Sequence, residues 1–186
     1  MIRAGPVGSK VAGYSEVEWN EKGRTMISNI YVSYSKNLIT SIQFGYLEKG
    51  VLVLSKKFGP SDGHNLRVVT LKQDEYVTGL TGVLALSLGI KILTFHTNLG
   101  KHGPIGILDG DYADDPTIEI DPAIHDRCEF DGFFGSYNGS NLSSIGMYVN
   151  PTARSDEVVK SETFPQATPC SSLQQKSFAV FCQNFR

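Results

Sequence analysis

The sequence feature that most constrains the fold is a set of paired segments in which apolar and polar residues alternate. In the first pair, Ile30, Val32 and Tyr34 alternate with smaller or polar residues, and Ile42 and Phe44 continue the pattern on the return segment. Alternation with a period of two is typical of β-strands that bury one face. Each pair therefore predicts a β-hairpin, and helix signals are scarce.

The centres of the three predicted hairpins lie near residues 37, 88 and 139, about fifty residues apart. Shorter strand candidates, VLVLSKKFG, NLRVVTL and PTIEIDP, lie between them, and each repeat is long enough for one four-stranded unit. Gly-Pro pairs recur roughly in step, at residues 5–6, 59–60 and 103–104. The pattern predicts an all-β prism of three four-stranded sheets with pseudo-threefold symmetry, and a generic β-sandwich with evenly spaced hairpins is the alternative.

The composition of the chain changes after Asn150-Pro151. Residues 152–186 are rich in Ser, Thr, Gln and Pro and show no sustained periodicity, which is typical of a disordered segment. We therefore expect one folded domain over residues 1–151 and a disordered tail over residues 152–186.

Charge and cysteine usage narrow the classes of function. The formal net charge is −2 and no basic block is present, so neither a nucleic acid nor a membrane surface is an expected partner. No apolar stretch approaches the length of a membrane span, and the first residues lack the apolar centre of a signal peptide. Together with three cysteines that form no CxxC motif, these features predict a reduced, intracellular setting, and the family resemblance described below narrows this expectation to the cytoplasm, with the nucleus as a second compartment.

Catalytic and metal-binding patterns fail in detail. The acidic segment Asp109–Asp115 has Ala113 and Asp114 where a calcium loop needs an oxygen ligand and then glycine. The four histidines are scattered, without metal-ligand spacing. Ser61, Asp62 and His64 lie too close together along one loop to act as nucleophile, orienting group and base. We expect no enzyme activity, no metal and no cofactor.

Seven segments, taken in order, resemble those of the plant jacalin-related lectins. They are GPVG, EWNEKGR…ISNIYVSY, SIQFGY, DEYVTGLTG, ILTFHTN, HGPIG and FDGFFGSY…SSIGMYV, and they run from about Gly5 to Val149. The resemblance implies a type I β-prism of three Greek-key sheets that binds mannose-type or galactose-type sugars without a metal. It also implies a homo-oligomer, and members without a signal peptide generally belong to the mannose-binding branch.

In that family the sugar lies between a glycine-rich loop near the N-terminus and a late Gly-x-x-x-Asp loop. The residues that match these two loops are Gly8, Gly13, Gly139, Ser140, Asn141, Leu142 and Ser143. Ser143 stands where the family has its aspartate. A carboxylate accepts two charge-assisted hydrogen bonds, whereas serine offers one uncharged oxygen. Loss of such a bond weakens binding by roughly 10- to 100-fold.

The last of the three predicted hairpins contains this loop, and its Asn138-Gly139 pair predicts a tight turn because both residues tolerate positive φ. Two functions follow from the resemblance. The first is a carbohydrate-binding protein of the mannose type, acting in plant defence. The second is a degenerate lectin domain that holds other defence proteins through its loops or tail, as in relatives that restrict long-distance virus movement.

Overall fold

The computed structural model describes residues 2–9, 13–22, 26–36, 38–60, 63–85, 88–107, 114–121 and 128–151, and these residues form twelve strands. Sheet A contains β1 (Ile2–Gly8), β2 (Val17–Lys22), β11 (Cys128–Tyr137) and β12 (Leu142–Pro151). Sheet B contains β3 (Ile27–Tyr34), β4 (Ile39–Glu48), β5 (Val51–Leu54) and β6 (Asn65–Thr70). Sheet C contains β7 (Val77–Ala85), β8 (Gly89–Thr97), β9 (Gly100–Ile105) and β10 (Thr117–Ile120).

Each sheet is built around one of the predicted hairpins. The strand orders are β1-β12-β11-β2, β5-β4-β3-β6 and β10-β7-β8-β9, and all neighbouring strands are antiparallel. The hairpin strands occupy the two central positions of each sheet, and the shorter strand candidates lie at the edges. The prediction of an all-β prism with three four-stranded sheets is confirmed. Residues 152–186, predicted to be a disordered tail, lie outside the described residues.

The pairing register repeats from sheet to sheet. Val7 pairs with Ile145 in sheet A, and Ile105 pairs with Leu93 in sheet C. In sheet B, Phe58 forms an isolated bridge to Ile42. In all three places the segment that precedes a glycine meets the return strand of the central hairpin, which makes Val7, Phe58 and Ile105 equivalent positions.

The glycines that follow these positions, Gly8, Gly59 and Gly106, have positive φ values of 153°, 132° and 133°. A Cβ atom on any of them would overlap the backbone of the neighbouring strand. The predicted Gly-Pro periodicity is therefore only partly right. In the strand register, Gly59 is equivalent to Gly8 and Gly106, which are the second glycines of GPVG and GPIG. It is not equivalent to the glycines that precede the prolines in those two motifs.

One phenylalanine from each sheet meets the others in the core. Phe44 of sheet B stacks on Phe133 of sheet A with 4.6 Å between ring centroids, and Phe95 of sheet C meets Phe133 edge-on at 6.0 Å. All three side chains are fully buried. Trp19 extends this cluster by stacking on Phe58 at 4.6 Å. The three inner sheet faces thus share a single core.

We expect Phe133→Ala to lower the free energy of unfolding by about 3–5 kcal/mol, because it removes the ring that contacts both other sheets and leaves a cavity. Urea denaturation followed by tryptophan fluorescence would measure the change. Phe133→Leu keeps part of the volume and should cost less. An equal loss for Leu66→Ala, whose side chain is exposed on β6, would contradict this assignment.

Candidate functional site

The loop between β11 and β12 is a four-residue turn closed by its first side chain. The backbone N–H of Asn138 donates to the carbonyl of Asn141 at 3.0 Å. The Oδ1 atom of Asn138 accepts hydrogen bonds from the backbone N–H groups of Ser140 and Asn141, at 2.8 Å and 3.1 Å. The asparagine side chain thus takes the part that a main-chain carbonyl plays in an ordinary β-turn.

The sequence correctly predicts a turn at Asn138-Gly139 but not its geometry. Positive φ occurs at other positions of the described chain, such as Lys49 and Gly50, and not at Asn138 or Gly139. The turn is therefore where the sequence predicts it, but the tolerance of positive φ that suggested it is not used. The Asn138 side chain stabilises a longer loop in which neither residue needs that conformation.

Ser143, which stands at the family's aspartate position, lies beneath the loop. Its side chain is completely buried, and its Oγ atom accepts a hydrogen bond from the Nδ2 atom of Asn138 at 3.3 Å. Asn138 is itself 3% exposed. The hydroxyl is therefore engaged by the protein and is not presented at the surface.

Asn141 connects the loop to sheet C. Its side-chain amide donates to the carbonyl of Leu88, the turn residue that precedes strand β8 of sheet C, and more weakly to the carbonyl of Leu142 at 3.4 Å. Gly89 makes this approach possible, because a Cβ atom there would overlap the Asn141 amide. The amide that sequence reasoning offered to a ligand is buried and holds two hairpins together.

The N-terminal loop lies against the same hairpin. The backbone N–H of Ser9 donates to the carbonyl of Ser143 at 3.1 Å, and Gly8 packs so closely that a Cβ atom would overlap that carbonyl. Gly13, farther along the loop, is exposed with a φ of 87° and no atom within 4 Å of its Cβ position. The structure therefore places Gly8 and Ser143 in contact.

The predicted site residues divide into two groups at this end of the molecule. Gly8, Gly13, Gly139 and Ser140 are exposed, whereas Asn141, Leu142 and Ser143 are buried. A ligand that approached the loop would therefore meet backbone groups and the Ser140 hydroxyl before any other group of the loop.

Comparison with known proteins identifies the family of this chain. Residues 5–148 match the model of the jacalin-like lectin domain. The chain belongs to the jacalin-like lectin family. Members of this family are carbohydrate-binding lectins and not enzymes, which agrees with the expectation from the sequence.

The jacalin-like chain has close relatives in Arabidopsis thaliana. It is 49% identical to Jacalin-related lectin 24, covering 82% of this chain and 69% of that protein. It is 41% identical to Jacalin-related lectin 25, covering 85% of this chain and 62% of that protein. It is also 34% identical to Protein RESTRICTED TEV MOVEMENT 1, covering 81% of this chain and 87% of that protein.

Solved lectin structures share the prism of this jacalin-like chain. The agglutinin of Calystegia sepium matches with a TM-score of 0.62 and 24% identity, covering 81% of this chain and 96% of that one. A mannose-binding jacalin-related lectin from Ananas comosus matches with a TM-score of 0.58 and 21% identity, covering 81% and 97%. At these identities the likeness concerns the fold.

The remaining candidates from the sequence have structural partners or lie outside the described residues. Asp115, at the end of the acidic segment, forms an ion pair with Lys91 at 2.8 Å, while residues 109–113 are outside the description. Ser61, Asp62 and His125 are outside it as well, and His64 is exposed. Within the described ranges, no group of three or more His, Cys, Asp or Glu side chains could hold a metal, and no helix could span a membrane.

Sequence reasoning missed one buried charged network in this jacalin-like domain. Glu75, which is 4% exposed, accepts hydrogen bonds from Thr97 at 2.7 Å and from the backbone N–H of Lys72 at 3.1 Å, and its Oε1 atom lies 2.6 Å from Nε2 of His102. Burial opposes ionisation, but the hydrogen bonds from His102, Thr97 and Lys72 outweigh it and lower the pKa of Glu75 to about 2. The network attaches the β6–β7 connection to β8 and β9.

The lowered pKa of Glu75 makes stability depend on pH in acid. Because its folded pKa lies below its ordinary value of 4.5, the contribution is complete above pH 4.5 and is lost as the pH falls toward about 2. We expect a loss on the order of 3 kcal/mol over this window. Urea unfolding of the wild type and Glu75→Gln at pH 7 to pH 2 would measure it. The variant should be less stable at pH 7 and less sensitive to acid, and parallel pH profiles would refute this role.

Proposed function

We propose that this jacalin-like lectin binds mannose-type glycans weakly through the two loops at the end of sheet A. The contact between the Gly8–Ser9 segment and Ser143, which lies two residues after Asn141 of the turn, carries the proposal, since it places the N-terminal loop beside the late loop that the resemblance implies. Family membership supports glycan binding, and a solved relative from Ananas comosus is described as mannose binding. The exposed Gly13, Gly139 and Ser140 are the groups we assign to ligand contact.

The expected weakness has a physical cause in Ser143. Its oxygen is uncharged, buried and already accepts a hydrogen bond from Asn138. A sugar in this site would therefore lack the charge-assisted acceptor that an aspartate provides. The Asn138 and Asn141 amides cannot replace it, because both are buried and engaged within the loop and with Leu88. Binding would rest on backbone groups and the Ser140 hydroxyl.

We expect Ser143→Asp to bind mannose about 10- to 100-fold more tightly than the wild type, by restoring a charged acceptor. One carboxylate oxygen can keep the hydrogen bond from Asn138 while the other faces the loop opening. Isothermal titration calorimetry with mannose would measure the gain. Ser143→Asn is the matched control, because it has the same shape without the charge and should show no gain.

The outcome that contradicts this proposal is equal mannose affinity for Ser143→Asp and Ser143→Asn, with both variants folded. Thermal unfolding of each variant is needed alongside, because the substituted position is buried. A wild-type dissociation constant in the low micromolar range would also contradict the proposal, since the site would then bind tightly without its carboxylate.

A second candidate function is a protein-interaction module in plant defence. The observation in its favour is an exposed apolar surface on sheet B, away from the loops. The register places its residues on the face opposite the buried Ile42, Phe44 and Tyr46. We call this surface the sheet B face; it comprises Leu47, Leu52, Leu54, Leu66 and Val68. Because this chain is similar to Protein RESTRICTED TEV MOVEMENT 1, we propose virus movement as the process in which such a module would act.

The two candidates predict opposite effects of matched variants on systemic virus spread in plants that express this chain. An interaction module should lose its effect in Leu52→Ser/Leu54→Ser and keep it in Ser143→Asn. A glycan-dependent activity should be unchanged by the first variant and increased by Ser143→Asp. Retention of the effect in Leu52→Ser/Leu54→Ser, at equal protein levels, would eliminate the sheet B face as the interaction site.

We also propose a cytoplasmic location that extends to the nucleus, and assembly into a homo-oligomer. The odd number of cysteines without a CxxC motif supports the first statement. Imaging of a fluorescent fusion and light scattering of the purified protein would check the two statements separately.

A further inference from the structure

A cavity of about 520 Å³ opens on the outer face of sheet A, along strands β1, β2, β11 and β12. Its volume is within the range of small-molecule sites. The lining residues that matter here are Arg3, Glu16, Glu18, Phe134, Ser136 and Ser144. None of the residues from Gly139 to Ser143 lines it.

The strand register explains the chemistry of the cavity wall. Phe133 points into the core, so its neighbour Phe134 points outward, where the guanidinium of Arg3 lies 4.1 Å above its ring. Such a cation–π contact covers the ring, which is only 2% exposed. Ser136, two residues beyond Phe134, points to the same face, and its hydroxyl lies 2.8 Å from the hydroxyl of Ser144 on the neighbouring strand. The wall therefore combines an aromatic, cationic part with a hydroxyl-bearing part.

Glu16 contributes a carboxylate without a partner. Both of its side-chain oxygens are shielded from water, and neither has a hydrogen-bond partner. A desolvated, unpaired carboxylate is costly, and buried polar groups are almost always hydrogen-bonded. The indole Nε1 of Trp19 also lacks an acceptor, but this ring stacks on Phe58 on the core side of sheet A and does not face the cavity. The cavity thus contains one unsatisfied anionic acceptor.

We propose that this cavity binds a small hydroxylated amine, of the chemical class of amino sugars with a free ammonium group. The ammonium group donates to the Glu16 carboxylate, which supplies the missing counter-charge. Hydroxyl groups of the ligand bond to Ser136 and Ser144. The second carboxylate, Glu18, adds to the negative potential, so that two carboxylates in the lining outnumber the single guanidinium of Arg3, which stacks on Phe134. Neutral sugars lack the charge that Glu16 requires.

Titration calorimetry at pH 6.5 with three matched ligands tests the proposal. Glucosamine carries the ammonium group, glucose has a hydroxyl in its place, and N-acetylglucosamine has an uncharged amide. We expect glucosamine to bind at least tenfold more tightly than either of the other two. Equal affinities for the three sugars would overturn the proposal, as would tighter binding of a lysine-containing peptide, which would assign the site to a protein side chain.

Substitution of Glu16 by Gln keeps the shape and removes the charge. We expect Glu16→Gln to lose at least tenfold in glucosamine affinity and to raise the melting temperature of the free protein, because no buried carboxylate remains unpaired. Glu48→Gln, on β4 of sheet B, is the matched control and should change neither quantity. A lower melting temperature for Glu16→Gln, or unchanged glucosamine binding, would overturn the proposal.

The loop site is tested separately. Ser143→Asp should alter mannose binding and leave glucosamine binding unchanged, because residue 143 does not line this cavity. If Ser143→Asp and Glu16→Gln changed the affinity for the same sugar to the same extent, the two sites would be one, and the proposal of a separate cavity would be wrong.

Discussion

The contact among Phe44, Phe95 and Phe133 is the interaction on which the rest of the structure depends. Each ring comes from the central hairpin of a different sheet, and each is completely buried. No single four-stranded sheet can bury its inner face alone, so the three faces are stabilised only when they meet. The positions of the hairpin loops at the ends of the sheets follow from this shared core.

At the loop end, hydrogen bonds within the protein restrict which polar groups a ligand can contact. The Asn138 side chain closes its own turn and holds Ser143, while the Asn141 amide bonds to the carbonyl of Leu88 from the neighbouring sheet. These hydrogen bonds satisfy groups that would otherwise be buried without partners. They also remove those groups from the surface, which is why we propose weak glycan binding at this end.

Much of the fold was predictable from the sequence because it depends on a local pattern. The alternation of Ile30, Val32 and Phe44 assigns these residues to one buried face, and the repeat of that pattern assigns three sheets. The family resemblance then located the loop that contains Ser143. The spacing of short motifs was less reliable, since Gly59-Pro60 lies three residues out of register with the other two Gly-Pro pairs.

The details of the site depend on contacts between residues that are far apart along the chain, and such contacts could not be predicted from the sequence pattern. Asn141 and Leu88 are 53 positions apart, and Glu75 and His102 are 27 positions apart. The local sequence around a loop asparagine does not show whether its side chain is buried or exposed, so the burial of Asn138 could not be predicted. Likewise, nothing adjacent to Glu16 in the sequence indicates a carboxylate without a partner.

An NMR titration of the isotope-labelled protein with mannose tests the central claim most directly, namely that the polar side chains of the loop are engaged internally. The account predicts concentration-dependent shifts of the backbone amides of Gly13, Gly139 and Ser140, with little change in the side-chain amide signals of Asn138 and Asn141. Large shifts of those side-chain amides on saturation would contradict it, because they would show that the sugar breaks the hydrogen bonds to Ser143 and Leu88.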